Sequence, residues 1–97
     1  MQVRKIDGNK LNENRRKIGG KWKPIVMTIL YDKPARFNKI KQLIPELSST
    51  QLSKCMRELE LNGIISKEDD DYSLTDAGHE IATLMFHINK ILDSIPR

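Results

Sequence analysis

The segment from Ser48 to Gly63 carries both a start signal and a stop signal for an α-helix. The other secondary-structure elements must therefore lie before or after this segment. Ser48 is followed three residues later by Gln51, which is the spacing of a capping box, where the two side chains each bond a backbone group at the helix start. Asn62-Gly63 supplies a left-handed helix end. The sequence therefore predicts a helix over about 49–62.

Apolar spacing and chain breakers predict the remaining elements. The helix at 49–62 has an apolar stripe of Leu52, Met56 and Leu59, with Cys55 beside it. Before it we expect a loose arm over 1–13, which has room for a short helix, then a helix over about 21–31 and a short helix over 37–44. After it we expect two strands, at 64–66 and 72–74, joined by a turn at 68–71. A long helix follows Thr75 and runs to about 94.

This order of elements is typical of a winged helix-turn-helix, in which two helices joined by a short turn precede a β-hairpin. The predicted fold class is mainly α (α+β), with a two-stranded hairpin and a long C-terminal helix at 75–95 for dimerisation. The length of 97 residues corresponds to one domain, so residues 1–97 are expected to form a single winged-helix DNA-binding domain.

Charge is distributed unevenly along the chain. Residues 1–41 carry a net charge of +9 and residues 42–97 carry −5, which the overall +4 conceals. A basic half favours a polyanionic partner, either nucleic acid or an acidic membrane surface. The alternative is an ordinary solvated surface, because Lys and Arg are common on soluble proteins.

Several short blocks resemble the HxlR-type winged-helix transcription regulators. They are Gly19-Gly20-Lys21-Trp22, Arg36-Phe37, Ile44-Pro45, Leu52 followed by Arg57-Glu58-Leu59-Glu60, Asn62-Gly63-Ile64-Ile65, and Tyr72-Ser73-Leu74-Thr75 with Gly78. The resemblance covers roughly residues 18–85. It implies a homodimer that binds operator DNA and acts as a repressor or an activator.

Two features depart from this resemblance. Many members of the family carry a redox-responsive cysteine just upstream of the Gly-Gly block, but Asn14–Ile18 contains none, so that sensing mechanism is not carried over. The wing is also short: only Ser66–Asp71 separates Ile65 from Tyr72, and four of those six residues are acidic. A contact between this wing and the minor groove is therefore in doubt.

The helix at about 49–62 is the predicted recognition helix. Opposite its apolar stripe it carries hydroxyl and cationic side chains, which suit base edges and phosphates in the major groove. The predicted DNA-contacting residues of this helix are Ser49, Thr50, Ser53, Lys54 and Arg57. The alternative is that Lys54 and Arg57 are surface charges, with Lys54 and Glu58 forming a pair at i and i+4.

The ends of the two preceding helices carry further candidates. In a helix-turn-helix such ends approach the DNA backbone, so we assign these side chains to phosphate contacts, which orient the protein without reading sequence. The predicted residues are Lys21, Lys23, Arg36, Asn38 and Lys39. Any single one of the lysines can equally be a solvated surface residue.

The last helix has an apolar stripe that is longer than a domain of this size can cover. The simplest partner is a second copy of the chain, because a large exposed apolar stripe is unusual on a monomer. The predicted dimer interface is Ile81, Leu84, Met85, Ile88, Ile91, Leu92 and Ile95. The alternative is that residues 85–95 fold back on Val3, Ile6 and Leu11 of the arm.

The other chemistry-bearing residues favour no reaction. Cys55 is the only cysteine, so no disulfide can form within the chain, and a thiol switch is the alternative to a small core residue. The acids at 68–71 fit a solvated turn better than a cation site, and His79 and His87 lie too far apart to form a metal pair. We expect no metal, no cofactor and no enzymatic activity.

The function expected from the sequence is a cytoplasmic, sequence-specific DNA-binding transcription regulator whose partners are double-stranded DNA and a second copy of itself. No apolar stretch is long enough for a membrane span, and residues 1–10 lack a signal-peptide core. The main alternative is a winged-helix module that binds another protein through its acidic hairpin and C-terminal half. A binder of acidic membranes would need a basic amphipathic helix, which the arm lacks.

Overall fold

The computed structural model describes residues 7–96 and confirms the winged helix-turn-helix class. Its elements are α1 (Gly8–Ile18), α2 (Trp22–Asp32), β1 (Ala35–Arg36), α3 (Phe37–Leu43), α4 (Ser49–Leu61), β2 (Ile65–Glu68), β3 (Asp71–Leu74) and α5 (Asp76–Ser94). The strands form one antiparallel sheet in the order β1-β3-β2. No described helix has the length and apolar character to cross a membrane.

The hairpin of β2 and β3 is the wing, and it closes on a turn of two residues. Asp69 and Asp70 both have positive φ, at 51° and 70°, as a type I′ turn requires. Aspartate tolerates this backbone conformation better than most residues because its short polar side chain can hydrogen-bond locally. The turn sets the register, in which Glu68 pairs with Asp71 and Ile65 pairs with Leu74.

The capping signals read from the sequence form α4 as predicted. The Oγ atom of Ser48 accepts a hydrogen bond from the Gln51 amide at 3.1 Å, and the Ser48 amide donates to Oε1 of Gln51 at 3.3 Å. At the other end Gly63 has φ +73°, and the Ile64 amide donates to the Leu59 carbonyl at 2.9 Å. Both ends of this helix are therefore fixed by local chemistry.

One hydrophobic core lies beneath α4, and α2, α3, the sheet and α5 close around it. The predicted stripe of α4 is fully inside it, and Cys55 is only 7% exposed. The buried apolar residues are Val26, Met27, Leu30, Ile40, Ile44, Leu47, Leu52, Cys55, Met56, Leu59, Ile64, Ile65 and Ala82. Among residues 7–96 no polar or charged residue belongs to the buried class.

Two elements differ from the sequence-based expectation. The arm was expected over 1–13 with room for a short helix, whereas the helix α1 runs over Gly8–Ile18. It begins there because the Asp7 carboxylate accepts from the Asn9 and Lys10 amides at 3.0 and 3.2 Å. The two-residue strand β1 was not predicted, since two residues show no periodicity; it forms because Ala35 and Arg36 pair with Tyr72 and Asp71.

Helix α5 is joined to the wing by the side chain of Thr75. Its hydroxyl donates to the Gly63 and Ile64 carbonyls at 2.6 and 3.1 Å and accepts from the Gly78 amide at 3.0 Å. Gly78 lies against the Ile64 carbonyl, with no space for a side chain. The helix has 19 residues and is therefore about 28 Å long at about 1.5 Å per residue.

The apolar stripe of α5 divides into two parts. Ile81 and Met85 pack against the chain's own core, so they belong to the fold as well as to the predicted interface. Leu84, Ile88, Ile91, Leu92 and Ile95 are each about half exposed. The fold-back alternative is not supported at Leu11, which is 56% exposed, and Val3 and Ile6 lie outside the described residues.

Gly78 generates a prediction about stability. The Gly78→Ala substitution places a Cβ atom against the Ile64 carbonyl, so it should lower the free energy of unfolding by about 1–3 kcal/mol in urea titrations. Gly8→Ala is the matched control, because it is also in the first turn of a helix but its Cβ would meet no atom within 4 Å. Equal stability of the two variants would show that α5 does not lie this close to Ile64.

Candidate nucleic-acid interface

The predicted recognition face of α4 is exposed to solvent along its whole length. All five candidate side chains are exposed, while the apolar residues of the same helix are buried in the core. The exposed candidates are Ser49, Thr50, Ser53, Lys54 and Arg57. The helix is therefore anchored by one side, and its hydroxyl and cationic groups are available to a partner on the other.

A cleft of about 390 Å³ joins α4 to the start of α3 and to the wing. Three predicted contact residues meet there, namely Arg36, Asn38 and Ser53, together with Lys67 and Asp70 of the wing. Phe37 and Tyr72 complete its lining. The structure thus brings part of the predicted backbone-contact set and part of the predicted base-contact set to one place.

Lys67 is a cation that the sequence analysis missed. It lies on β2, its Nζ atom is 3.9 Å from Oδ1 of Asp70, and it stands 5.5 Å from the centre of the Tyr72 ring. Arg36 similarly places Nε 3.8 Å from Oδ1 of Asp71. These pairs are exposed and long, so each contributes little to stability, but each sets a positive charge beside an acid of the wing.

A second cleft, of about 330 Å³, lies where the start of α2 meets α4. Lys21 and Lys54, from the two predicted sets, both line it. The Nζ atom of Lys21 is 4.7 Å from the centre of the Trp22 ring, and Trp22 packs against the core. The aromatic ring therefore holds a cation beside the second turn of the recognition helix.

Lys23 is placed differently from the expectation. Its Nζ atom is 2.7 Å from Oε2 of Glu58 and donates to the Arg16 carbonyl at 2.8 Å, and its side chain is only 13% exposed. Because this ammonium group is held by two internal acceptors, Lys23 is not placed to contact a phosphate, contrary to the prediction from the sequence. Glu58 pairs with Lys23, and the alternative Lys54–Glu58 pair is not formed.

Four predicted residues are exposed but line neither cleft, namely Lys39, Ser49, Thr50 and Arg57. Their place on the solvent side of α3 and α4 agrees with the expectation that they face outward.

The family model described as HxlR-like helix-turn-helix matches residues 17–95 of the chain.

The chain belongs to the HxlR-like helix-turn-helix family.

Relatives of this HxlR-like chain are named as transcriptional regulators. The chain is 36% identical to the HTH-type transcriptional regulator YdeP of Bacillus subtilis over 78 aligned positions, covering 73% of this chain and 61% of YdeP. It is 35% identical to an HTH-type transcriptional regulator of Methanothermobacter thermautotrophicus, covering 70% of this chain and 57% of that protein. The chain thus spans about three fifths of the length of these curated relatives.

A solved structure of the same type superposes closely on the HxlR-like chain. Quinone-bound YodB from Bacillus subtilis matches with a TM-score of 0.81 and 26% sequence identity, covering 90% of this chain and 99% of that chain. A match over 90% of this chain supports the winged-helix assignment.

The single cysteine of this HxlR-like chain lies in the core beside the second cleft. Burial raises the pKa of the Cys55 thiol above its ordinary value, which keeps it protonated at neutral pH. A protonated, buried thiol is a poor nucleophile. Among residues 7–96 no group of three His, Cys, Asp or Glu side chains is placed to hold a metal ion.

The Lys23–Glu58 pair generates a prediction about pH dependence. The hydrogen bond from Lys23 lowers the pKa of the Glu58 carboxyl in the folded protein. The pair therefore stabilises the fold at pH values above the pKa that Glu58 has in the unfolded chain. This contribution is lost as the pH falls through the lower pKa that Glu58 has in the folded protein. Glu58→Gln should therefore lower the free energy of unfolding at pH 7 by up to about 1 kcal/mol, because part of the pair is exposed.

The measurement is urea unfolding of both proteins from pH 7 down to pH 3. The stability difference should shrink toward zero at the acid end. Glu60→Gln is the control, since Glu60 is an exposed residue of the same helix that makes no ion pair within residues 7–96. A difference that stays constant with pH would show that the carboxylate charge of Glu58 is not what stabilises this contact.

Proposed function

We propose that this chain is a sequence-specific DNA-binding transcription regulator that acts as a homodimer. The observation that carries the proposal is the two-sided character of α4, with apolar side chains in the core and hydroxyl and cationic side chains in solvent. The names of the relatives support the same class of function. Binding rather than catalysis, without a cofactor, is the proposed mode of action.

Base reading is assigned to the exposed side of α4. In the major groove, Lys54 and Arg57 can donate to O6 and N7 of guanine, with Arg57 able to do so through two hydrogen bonds. The hydroxyls of Ser49, Thr50 and Ser53 can bond either base edges or phosphates. Because the core fixes the rotation of α4, these five side chains enter the groove as one preset surface.

Backbone contacts are assigned to the cations and the amide around α4. Lys21 lies beside Lys54, Arg36 and Asn38 lie beside Ser53, and Lys39 is exposed on the first turn of α3. Contacts of this kind fix the register of a protein on the duplex and make its affinity fall as salt rises. Lys23 is excluded from this set because of its internal pairing.

Dimerisation is assigned to the second half of α5. Leu84, Ile88, Ile91 and Leu92 of α5 and its C-cap residue Ile95 are exposed apolar side chains that share one side of the helix. The same surface on a second copy would cover it, with a two-fold axis relating the chains. The recognition helices of such a dimer would reach half-sites about 34–36 Å apart. We also propose that the regulator acts in the cytoplasm.

A fluorescence-polarisation titration with mixed-sequence duplex tests the proposed class of function. The protein should bind at low salt, and its affinity should fall steeply between about 50 and 200 mM salt. The alternative function, a module that binds proteins through the wing and α5, predicts no duplex binding even at low salt.

Two substitutions separate base reading from backbone contact. Arg57→Ala should cost about 1–3 kcal/mol on a preferred duplex but little on a mixed duplex, because it removes a base contact. Lys39→Ala should weaken binding to both duplexes similarly and reduce the salt slope by about 1, because it removes a phosphate contact. Both are measured by the same polarisation assay, on a duplex selected from random sequence and on a scrambled one. Equal effects of Arg57→Ala on both duplexes would contradict its base-reading role.

The dimer surface is tested by sedimentation. The double variant Ile88→Glu/Leu92→Glu should sediment as a monomer, because two charges would enter the apolar contact. The variant Lys90→Gln/Ser94→Glu changes the net charge equally and at the same spacing on another side of α5, and it should remain a dimer. A dimer that persists in the first variant would place the interface elsewhere.

A further inference from the structure

The last turn of α1 carries a cluster of cations that the proposed function does not use. Arg15, Arg16 and Lys17 occupy that turn, and no residue of α1 is buried. Basic residues at a helix C-terminus do interact favourably with the helix dipole. Only Ile18 of α1 packs against the core, and it does so while partly exposed, so the rest of the helix surface is available for another role.

A cleft of about 570 Å³ separates this turn from α4. Arg15 and Arg16 line it from α1, Gly19 and Gly20 form the connection to α2, and Glu58 lines it from α4. Asn12 and Lys23 complete its lining. Gly19, Gly20, Lys23 and Glu58 also line the neighbouring cleft that contains Lys21 and Lys54. The two clefts therefore form one continuous surface from the recognition helix to the end of α1.

The charges on this surface are unbalanced. Glu58 is the one acid that lines either cleft, and it is already paired with Lys23 at 2.7 Å. Arg15, Arg16, Lys21 and Lys54 make no ion pair within residues 7–96, and all four are exposed. An extended polyanion would neutralise such a row of cations, and the sugar-phosphate backbone of DNA is one.

We propose that Arg15 and Arg16 bind backbone phosphates of duplex DNA that flanks the segment read by α4. The inference rests on the proposed function and extends its contact surface to α1, a helix outside the helix-turn-helix. Both arginines are exposed and stand along an open surface, which suits a duplex that lies across it. A site for a small anion would instead hold converging, largely buried donors.

The Lys23–Glu58 pair gives this surface its shape. Because Lys23 also donates to the Arg16 carbonyl, one ammonium group joins the last turn of α1 to α4. The positions of Arg15 and Arg16 relative to Lys54 are thereby set by a short internal contact. The flanking phosphates and the groove would be engaged together by one preset surface.

The test is the salt dependence of duplex binding for Arg15→Ala/Arg16→Ala. Polarisation titrations between about 50 and 200 mM salt should give a slope of log K against log salt that is shallower than wild type by about 1–2, since each lost phosphate contact removes about 0.9. Arg15→Lys/Arg16→Lys keeps both charges and should retain most of the slope. Circular dichroism verifies that all variants keep their helix content.

The matched control is Lys33→Ala/Lys90→Ala, which removes the same charge from the end of α2 and from α5. If wild type binds and the two alanine variants have equal slopes, the flanking contact is contradicted while the proposed function stands. If wild type binds no duplex, the proposed function fails, and this inference fails with it. Binding of inorganic pyrophosphate that is lost in Arg15→Ala/Arg16→Ala, with an unchanged DNA slope, would overturn the inference in favour of a small-anion site.

Discussion

Burial of Leu52, Met56 and Leu59 fixes the rotation of α4 about its own axis, and the orientation of the candidate interface depends on it. Each fully buried side chain of this size stabilises the fold by about 1.5–3 kcal/mol relative to exposure. An exposed ion pair contributes about 1 kcal/mol or less. Core packing therefore determines which side of α4 faces solvent, because the surface ion pairs contribute less free energy than burial does.

Local capping and the wing complete this arrangement. Ser48 and Gln51 begin α4 at a defined residue, and Thr75 joins the carbonyls at the end of the α4–β2 connection to the first turn of α5. The wing is a tight hairpin whose Asp70 and Asp71 lie near Lys67 and Arg36. Arg36 of β1 and Lys67 of β2 line one cleft with Ser53 of α4, and each also lies near an acid of the wing.

The sequence predicts the parts of this fold that depend on neighbours along the chain. The α4 helix, its caps and its buried stripe follow from residues 48–63 alone, and the Thr75 cap of α5 has the same local origin. The strand β1 could not be read, because its pairing with β3 joins residues about 36 positions apart. The start of the helix at 8–18 could have been predicted from the sequence, because Asp7 is a favourable N-cap residue directly before it.

In the candidate interface too, local sequence predicts some features, whereas others depend on contacts between distant residues. The exposed character of Ser49, Thr50, Ser53, Lys54 and Arg57 follows from helical periodicity. The internal pairing of Lys23 with Glu58 does not, because only the packing of α2 against α4 brings these residues together. The role of Lys67 and the two clefts could not be predicted from the sequence for the same reason. Local patterns identify which side of a helix is polar, whereas tertiary contacts determine which polar groups remain available to a partner.

The most direct test of this account is an amide chemical-shift titration of ¹⁵N-labelled protein with a duplex selected from random sequence. The largest shifts should occur at residues 49–57, with smaller ones at Lys21 and at residues 36–39. Largest shifts in the β2–β3 hairpin or in the second half of α5, with α4 unchanged, would contradict the claim that the hydroxyl and cationic side of α4 binds DNA.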